Sequence, residues 1–97
     1  MLFAVLFEDN PDVGSEVRAK CMPDHLAFLT RNAADIKSAG PLLTPDNQIE
    51  GGLWLVEAQN TAQVDDLVKA DPFWPTGLRR SVRICAWKQV FADGKVI

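Results

Sequence analysis

Residues 53–73, LWLVEAQNTAQVDDLVKADPF, decide how this chain folds. Leu53 to Ala58 is apolar on both alternating faces, the pattern of a strand covered on two sides. Asn60 and Thr61 then offer N-cap side chains, with Gln63 placed for a weak capping box. Val64, Leu67 and Val68 make the buried stripe of a helix that ends near Asp71. One strand leading directly into one amphipathic helix is half of a split β-α-β unit, and the rest of the chain can be read outward from it.

On the N-terminal side the same order appears once more. Leu2 to Phe7 is apolar on both faces and stops at the loop Glu8-Asp9-Asn10-Pro11-Asp12. Pro23 and Asp24 are helix-start signals, and Leu26, Leu29, Ala33 and Ile36 recur at helical spacing after them. Gly40-Pro41 reads as the stop of that helix, a glycine just past the end followed by a residue that cannot continue it. Pro41 to Thr44 is a short strand, and Thr44 to Gly52 a turn-rich hairpin loop. On the C-terminal side, after a loop from Pro72 to Arg80, Val82, Ile84 and Ala86 alternate with Arg83, Cys85 and Trp87 in a last strand. The reading is a single α+β domain over residues 1–97, a ferredoxin-like β-α-β-β-α-β arrangement with an antiparallel sheet. Right-handed crossovers set the first and last strands side by side with both helices on one face. Because two strands are apolar on both faces, a second copy of the sheet is the expected cover, giving a homodimer in the form of a dimeric α/β barrel.

The chain has 97 residues, 47% of them hydrophobic and 24% charged, with a net charge of −3. That balance opposes the phosphate attraction on which nucleic-acid binding rests, and the only basic grouping is Arg79, Arg80 and Arg83. No apolar run reaches the roughly 18 residues a membrane helix needs, and Leu2 to Phe7 lacks the flanks of a signal peptide, so no membrane partner and a cytoplasmic location are expected. Cys21 and Cys85 are too few for a disulfide framework and are read as free thiols. With three Cys and His residues in all, a four-ligand zinc site is not expected within one protomer. Glu8, Asp9 and Asp12 read as a solvated loop rather than a metal site.

In this topology the helix that carries His25, the only histidine, starts at the edge of the sheet where the second helix, with Asp71, ends. These two residues are the candidate acid/base machinery. A first-turn histidine feels the positive end of the helix dipole, which disfavours its charged form, while a nearby carboxylate favours it, a balance suited to a general acid or base. Asp71 would orient one ring nitrogen and leave the other for substrate. Phe73 and Trp74 are candidates for an aromatic wall, and Trp54 is weighed beside them. Arg79 enters the last strand at the same edge, where a guanidinium can hold a substrate carboxylate. Cys21 lies four positions before His25, but a helix starting after Pro23 leaves it off that helix.

These residues also resemble a known family. His25-Leu-Ala-Phe-Leu29, Ala39-Gly-Pro-Leu42, Gly51-Gly52 before a strand ending Glu57-Ala58, Ala70-Asp-Pro-Phe73 with Gly77-Leu78, and a terminal strand ending in Trp87 together resemble the YCII-related, or YciI-like, family. The resemblance implies a ferredoxin-like fold paired into a dimeric α/β barrel, with an active site built on a His–Asp pair that maps onto His25 and Asp71. Most members have no assigned function; related barrels include muconolactone-isomerase-like and dehydrochlorinase-like lyases. The expectation is a lyase or isomerase acting on a small organic molecule by proton transfer, without a cofactor. Its alternative is a non-catalytic small-molecule-binding or interaction module on the same barrel.

Overall fold

The computed structural model describes residues 1–97. Strand β1 (Leu2–Asp9) leads to helix α1 (Ser15–Arg31), then β2 (Ile36–Leu43), β3 (Ile49–Glu57), helix α2 (Thr61–Ala70), a 3-10 turn (Trp74–Thr76) and β4 (Arg79–Ala86). The sheet order is β2-β3-β1-β4, with every neighbouring pair antiparallel. Two helices on one antiparallel sheet, with first and last strands adjacent, make the ferredoxin-like arrangement.

Period-two alternation sorts β1 into two sets. Phe3, Val5 and Phe7 are buried and join Trp54 and Val56 of β3, Phe28 of α1, Ile36, and Val64 and Val68 of α2 in one core. Leu2, Ala4 and Leu6 point to the other side, where Ala4 and Leu6 sit opposite Leu55 and Leu53 on β3 and Cys85 and Arg83 on β4. That face is half-buried and carries no helix. Helix α2 is capped as its sequence indicates: Asn60 Oδ1 accepts from the Gln63 N–H at 3.0 Å, and Gln63 Oε1 accepts from the Gln59 N–H at 2.9 Å. Val64 and Val68, fully buried, each stabilise its docking by about 1.5–3 kcal/mol. The end of α2, and with it Asp71, is thereby fixed over the sheet.

Several boundaries differ from the sequence reading, and one is the start of β3 at Ile49, inside the stretch from Thr44 to Gly52 that reads as a hairpin loop. Helix α1 begins at Ser15, not after Pro23, so Pro23 lies inside it and donates nothing to the Ala19 carbonyl. It ends at Arg31, with Asn32 as C-cap and its Nδ2 donating to the Phe28 carbonyl at 2.8 Å. Ile36 opens β2 rather than extending the helix stripe. Gly40-Pro41 is no helix stop: both lie within β2, paired with Leu53 and Gly52. A proline is compatible with this position because β2 is an edge strand, where one N–H of each alternate residue has no ladder partner to lose. A C-terminal hairpin, β5 (Phe91–Ala92) and β6 (Lys95–Val96), follows β4.

Gly51 faces Glu8 across the β1–β3 ladder, and a Cβ built there runs into the Phe7 carbonyl oxygen. Gly51→Ala is expected to push the two strands apart and to lower stability by about 1–3 kcal/mol. Urea unfolding should show a lower midpoint with an unchanged slope; an unchanged midpoint would contradict the close approach.

Candidate active site

One face of α1, strands β1, β2 and β3, the loop after α2 and the start of β4 converge on a cleft of about 160 Å³. Arg18, Met22, His25 and Leu29 recur at i, i+4, i+7 and i+11 along α1, one helical face, and all four line the cleft. Opposite them are Phe7 of β1 and Trp54 of β3. Phe73 comes from the segment that links α2 to β4, and Arg79 is the first residue of β4.

His25 and Asp71, 46 positions apart in sequence, are joined by a hydrogen bond of 2.9 Å between Nδ1 and Oδ1. Both are buried, His25 8% and Asp71 1% exposed. The local sequence explains how Asp71 is held. Pro72 restricts the residue before it to extended backbone, and Asp71 has φ −67° and ψ 132° at the α2 C-cap. Its side chain then turns back, and Oδ1 also accepts from the Phe73 N–H at 3.0 Å. Oδ2 accepts from Arg79 Nη1 at 2.7 Å. Burial by itself would raise the Asp71 carboxyl, but the His25 hydrogen bond, the Phe73 N–H and the Arg79 charge together outweigh it and hold the group below the usual carboxylate range. Burial likewise pushes the Arg79 guanidinium down, and Asp71 offsets only part of that. An ionised carboxylate only accepts, so in the neutral imidazole the proton sits on Nδ1 and Nε2 is the acceptor. Nε2 makes no hydrogen bond within the chain, and His25 lines the cleft.

Aromatic rings fix the imidazole plane. His25 stacks on Phe73 with centroids 4.2 Å apart and an interplanar angle of 20°, and lies at 6.4 Å and 29° to Trp54. Arg79 covers the Phe7 ring at 3.8 Å. This packing gives the pair one geometry before any ligand arrives.

The structure thus brings His25, Asp71, Phe73 and Arg79 to one place. Arg79 is not free at the surface: its side chain is 7% exposed and one arm of the guanidinium is held by Asp71. Trp74 does not line the cleft; it packs against the core from the 3-10 turn. Trp54, weighed as core or wall, is both. His25 lies in the third turn of α1, not the first, so the helix dipole does not act on it as expected and the carboxylate is its main electrostatic partner. Cys21 is on the same helix after all, half-buried and free, but does not line the cleft. Arg18 and Asp9, paired with each other at the cleft, were not singled out as site residues. Their signal is the Arg18-Met22-His25 spacing, which a helix starting after Pro23 would hide. Gly40 and Pro41, read as a helix stop, also border the cleft. Glu8 is paired with Arg80, which lowers its carboxyl below the ordinary value. A larger, more open groove of about 720 Å³, lined by residues that include Leu6, Leu42, Glu50 and Arg83, holds neither member of the pair. No helix is long and apolar enough to cross a membrane.

A family model described as the YCII-related domain matches residues 1–88. No curated protein matches the sequence. Among solved structures, the chain is similar to the 5-chloro-2-hydroxyhydroquinone dehydrochlorinase TftG of Burkholderia phenoliruptrix AC1100, in complex with 2,5-dihydroxybenzoquinone: 32% identity, a TM-score of 0.78, and coverage of 91% of this chain and 94% of that one. It is also similar in fold to Rv0793 of Mycobacterium tuberculosis, at 16% identity and a TM-score of 0.53, over 92% of this chain and 97% of that one.

Proposed function

The chain belongs to the YCII-related domain family, and from that premise we propose that it is a small-molecule lyase or isomerase in which His25 is the general acid/base and Asp71 its orienting partner. The observation that carries the reading is the buried, carboxylate-held imidazole with its second nitrogen left for a ligand in the cleft. Nε2 takes a proton from a carbon or hydroxyl of the substrate. In an elimination, the electron pair released moves into the ring as the neighbouring C–X bond breaks, X leaves as the anion, and the net loss is HX with no outside oxidant or reductant. In an isomerisation the same nitrogen returns the proton to a different carbon. Asp71 stabilises the imidazolium formed in either case, and general acid/base action of this kind contributes about 10²–10⁴ in rate.

Size and chemistry narrow the substrate. A cavity of about 150 Å³ takes one benzene-sized ring, and this cleft is about 160 Å³. The similar protein TftG is a dehydrochlorinase of a chlorinated hydroxyhydroquinone. We therefore place the substrate of this chain among single-ring compounds bearing hydroxyl or carboxylate groups and a leaving group. Phe73 supplies an aromatic wall, and Arg79 holds Asp71 while adding positive charge beside the ring. The test is chloride release from 5-chloro-2-hydroxyhydroquinone by the wild-type protein and by His25→Gln.

The unit is proposed to be a cytoplasmic homodimer. Support comes from the helix-free sheet face, where Leu2, Ala4, Leu6, Leu53 and Leu55 form one apolar strip that a second copy would cover, and from two unpaired thiols. Sedimentation should give a dimer at micromolar concentration, and Leu6→Glu with Leu53→Glu should give a monomer. A compact wild-type monomer would rule the barrel out.

A further inference from the structure

The two guanidinium groups that line the cleft are held differently. Arg79 is committed: its Nη1 bonds Asp71, and its plane covers Phe7. Arg18 is more open, its side chain 18% exposed, and its one acceptor in the protein is Asp9, itself 17% exposed, through Nη2. The Arg18 guanidinium carbon lies 5.6 Å from the centroid of Phe73, the ring that stacks on His25. A guanidinium has five N–H donors, so one carboxylate oxygen leaves most of the fork for a further anion. Arg18 stands two turns before His25 on the same face of α1.

Charge in the cleft points to the same residue. Arg79 balances Asp71 and Arg18 balances Asp9 while the imidazole is neutral. When His25 takes a proton, Asp71 faces the new positive charge, whereas the negative charge left on the substrate has no dedicated partner except the half-free Arg18. Resting on the reading of His25 as base, we infer that Arg18 binds an ionised oxygen of the substrate, sharing its fork between that oxygen and Asp9. The cleft then selects ring compounds with an acidic hydroxyl or a carboxylate over neutral rings of the same size. Developing anionic charge is met by a donor already in place, which is where such donors act most strongly.

The test uses two probes on the whole protein by calorimetry. One is 2,5-dihydroxybenzoquinone, whose hydroxyls are vinylogous acids and are ionised near neutral pH; the other is hydroquinone, a neutral ring of similar size. Wild type should prefer the anion, and Arg18→Gln should weaken it by about tenfold or more while changing hydroquinone by less than about twofold. Arg18→Lys should retain part of the preference. Asp9→Asn, which removes the competing carboxylate, should tighten the anion severalfold. If the Arg18–Asp9 pair merely latches helix to strand, both variants weaken both probes alike, and that result overturns the inference, as does a wild type without anion preference. Because binding is read without turnover, the two readings fail separately. Anion preference lost with His25-dependent chloride release intact removes Arg18 alone; anion preference kept while His25→Gln turns over normally removes His25 as the base.

Discussion

His25→Gln is expected to abolish nearly all chloride release from a 5-chloro-2-hydroxyhydroquinone probe, by about 10²–10⁴-fold, while the protein still folds. Glutamine keeps a polar side chain that can donate to Asp71 Oδ1, so the carboxylate retains its three donors. It has no atom able to accept a proton near neutral pH, and that is the loss measured. The stacking on Phe73 is also lost, at about 0.5–1.5 kcal/mol of stability, too little to unfold a domain of ordinary stability. Circular dichroism should therefore match wild type. Before any assay, the ring ¹⁵N shifts of the single histidine should show Nδ1 protonated and Nε2 free in the neutral form, the tautomer an ionised Asp71 requires. Turnover undiminished in His25→Gln would remove His25 as the base, whereas a wild type that binds ring compounds without releasing chloride would leave a binding module as the better reading of this fold.

Asp71→Asn should damage both folding and chemistry. Three donors converge on the carboxylate, and an amide offers them one accepting oxygen and an NH₂ that opposes either the His25 Nδ1–H or the Arg79 guanidinium. Removing one charge of a buried pair leaves the other uncompensated and costs about 3–5 kcal/mol. The loss depends on pH with a definite sign. Because the Asp71 carboxyl is held below its ordinary value of 3.8 in the folded protein, its ionised form stabilises the fold fully above that value, and the contribution fades as pH falls through the lower, folded-state value. Urea midpoints of wild type should thus decline steeply below about pH 4, and the gap to Asp71→Asn should narrow there. Adding Arg79→Met to Asp71→Asn should recover part of the loss, since the orphaned guanidinium goes with it. Equal stability of wild type and Asp71→Asn across this range would mean that the three hydrogen bonds do not hold the site.

The meeting of His25 and Asp71 was legible from connectivity, because strand-helix-strand order and crossover handedness bring the first helix and the end of the second to the same sheet edge. Its details were not. Pro23-Asp24 has the composition of a helix start, and only packing of the Arg18-Met22-His25-Leu29 face over the sheet makes the helix run through it. Gly40-Pro41 has the composition of a helix stop, and only its place on an edge strand reveals otherwise. Arg79 reads from the sequence as a holder of a substrate carboxylate; its burial follows from Asp71 and Phe73 just before it and from Phe7 on the neighbouring strand, and only the fold brings Phe7 to it. The C-terminal hairpin has a local signal, Asp93-Gly94 between Phe91-Ala92 and Lys95-Val96, and both residues take positive φ, 52° and 78°.

Asp71 answers to two demands. It touches α1 through His25, β4 through Arg79 and its own turn through Phe73, so the carboxylate is a joint of the scaffold as well as the partner of the proposed base. A lineage that gave up the chemistry would still be held to the aspartate and the arginine by selection for folding, but not to the histidine, whose replacement costs little stability. Among relatives, then, retention of the Asp–Arg pair says only that the domain folds in the same way. If His25 is the base proposed here, the residue facing the pair from the third turn of α1 is the one that would separate descendants that still turn over a substrate from those kept for the scaffold alone.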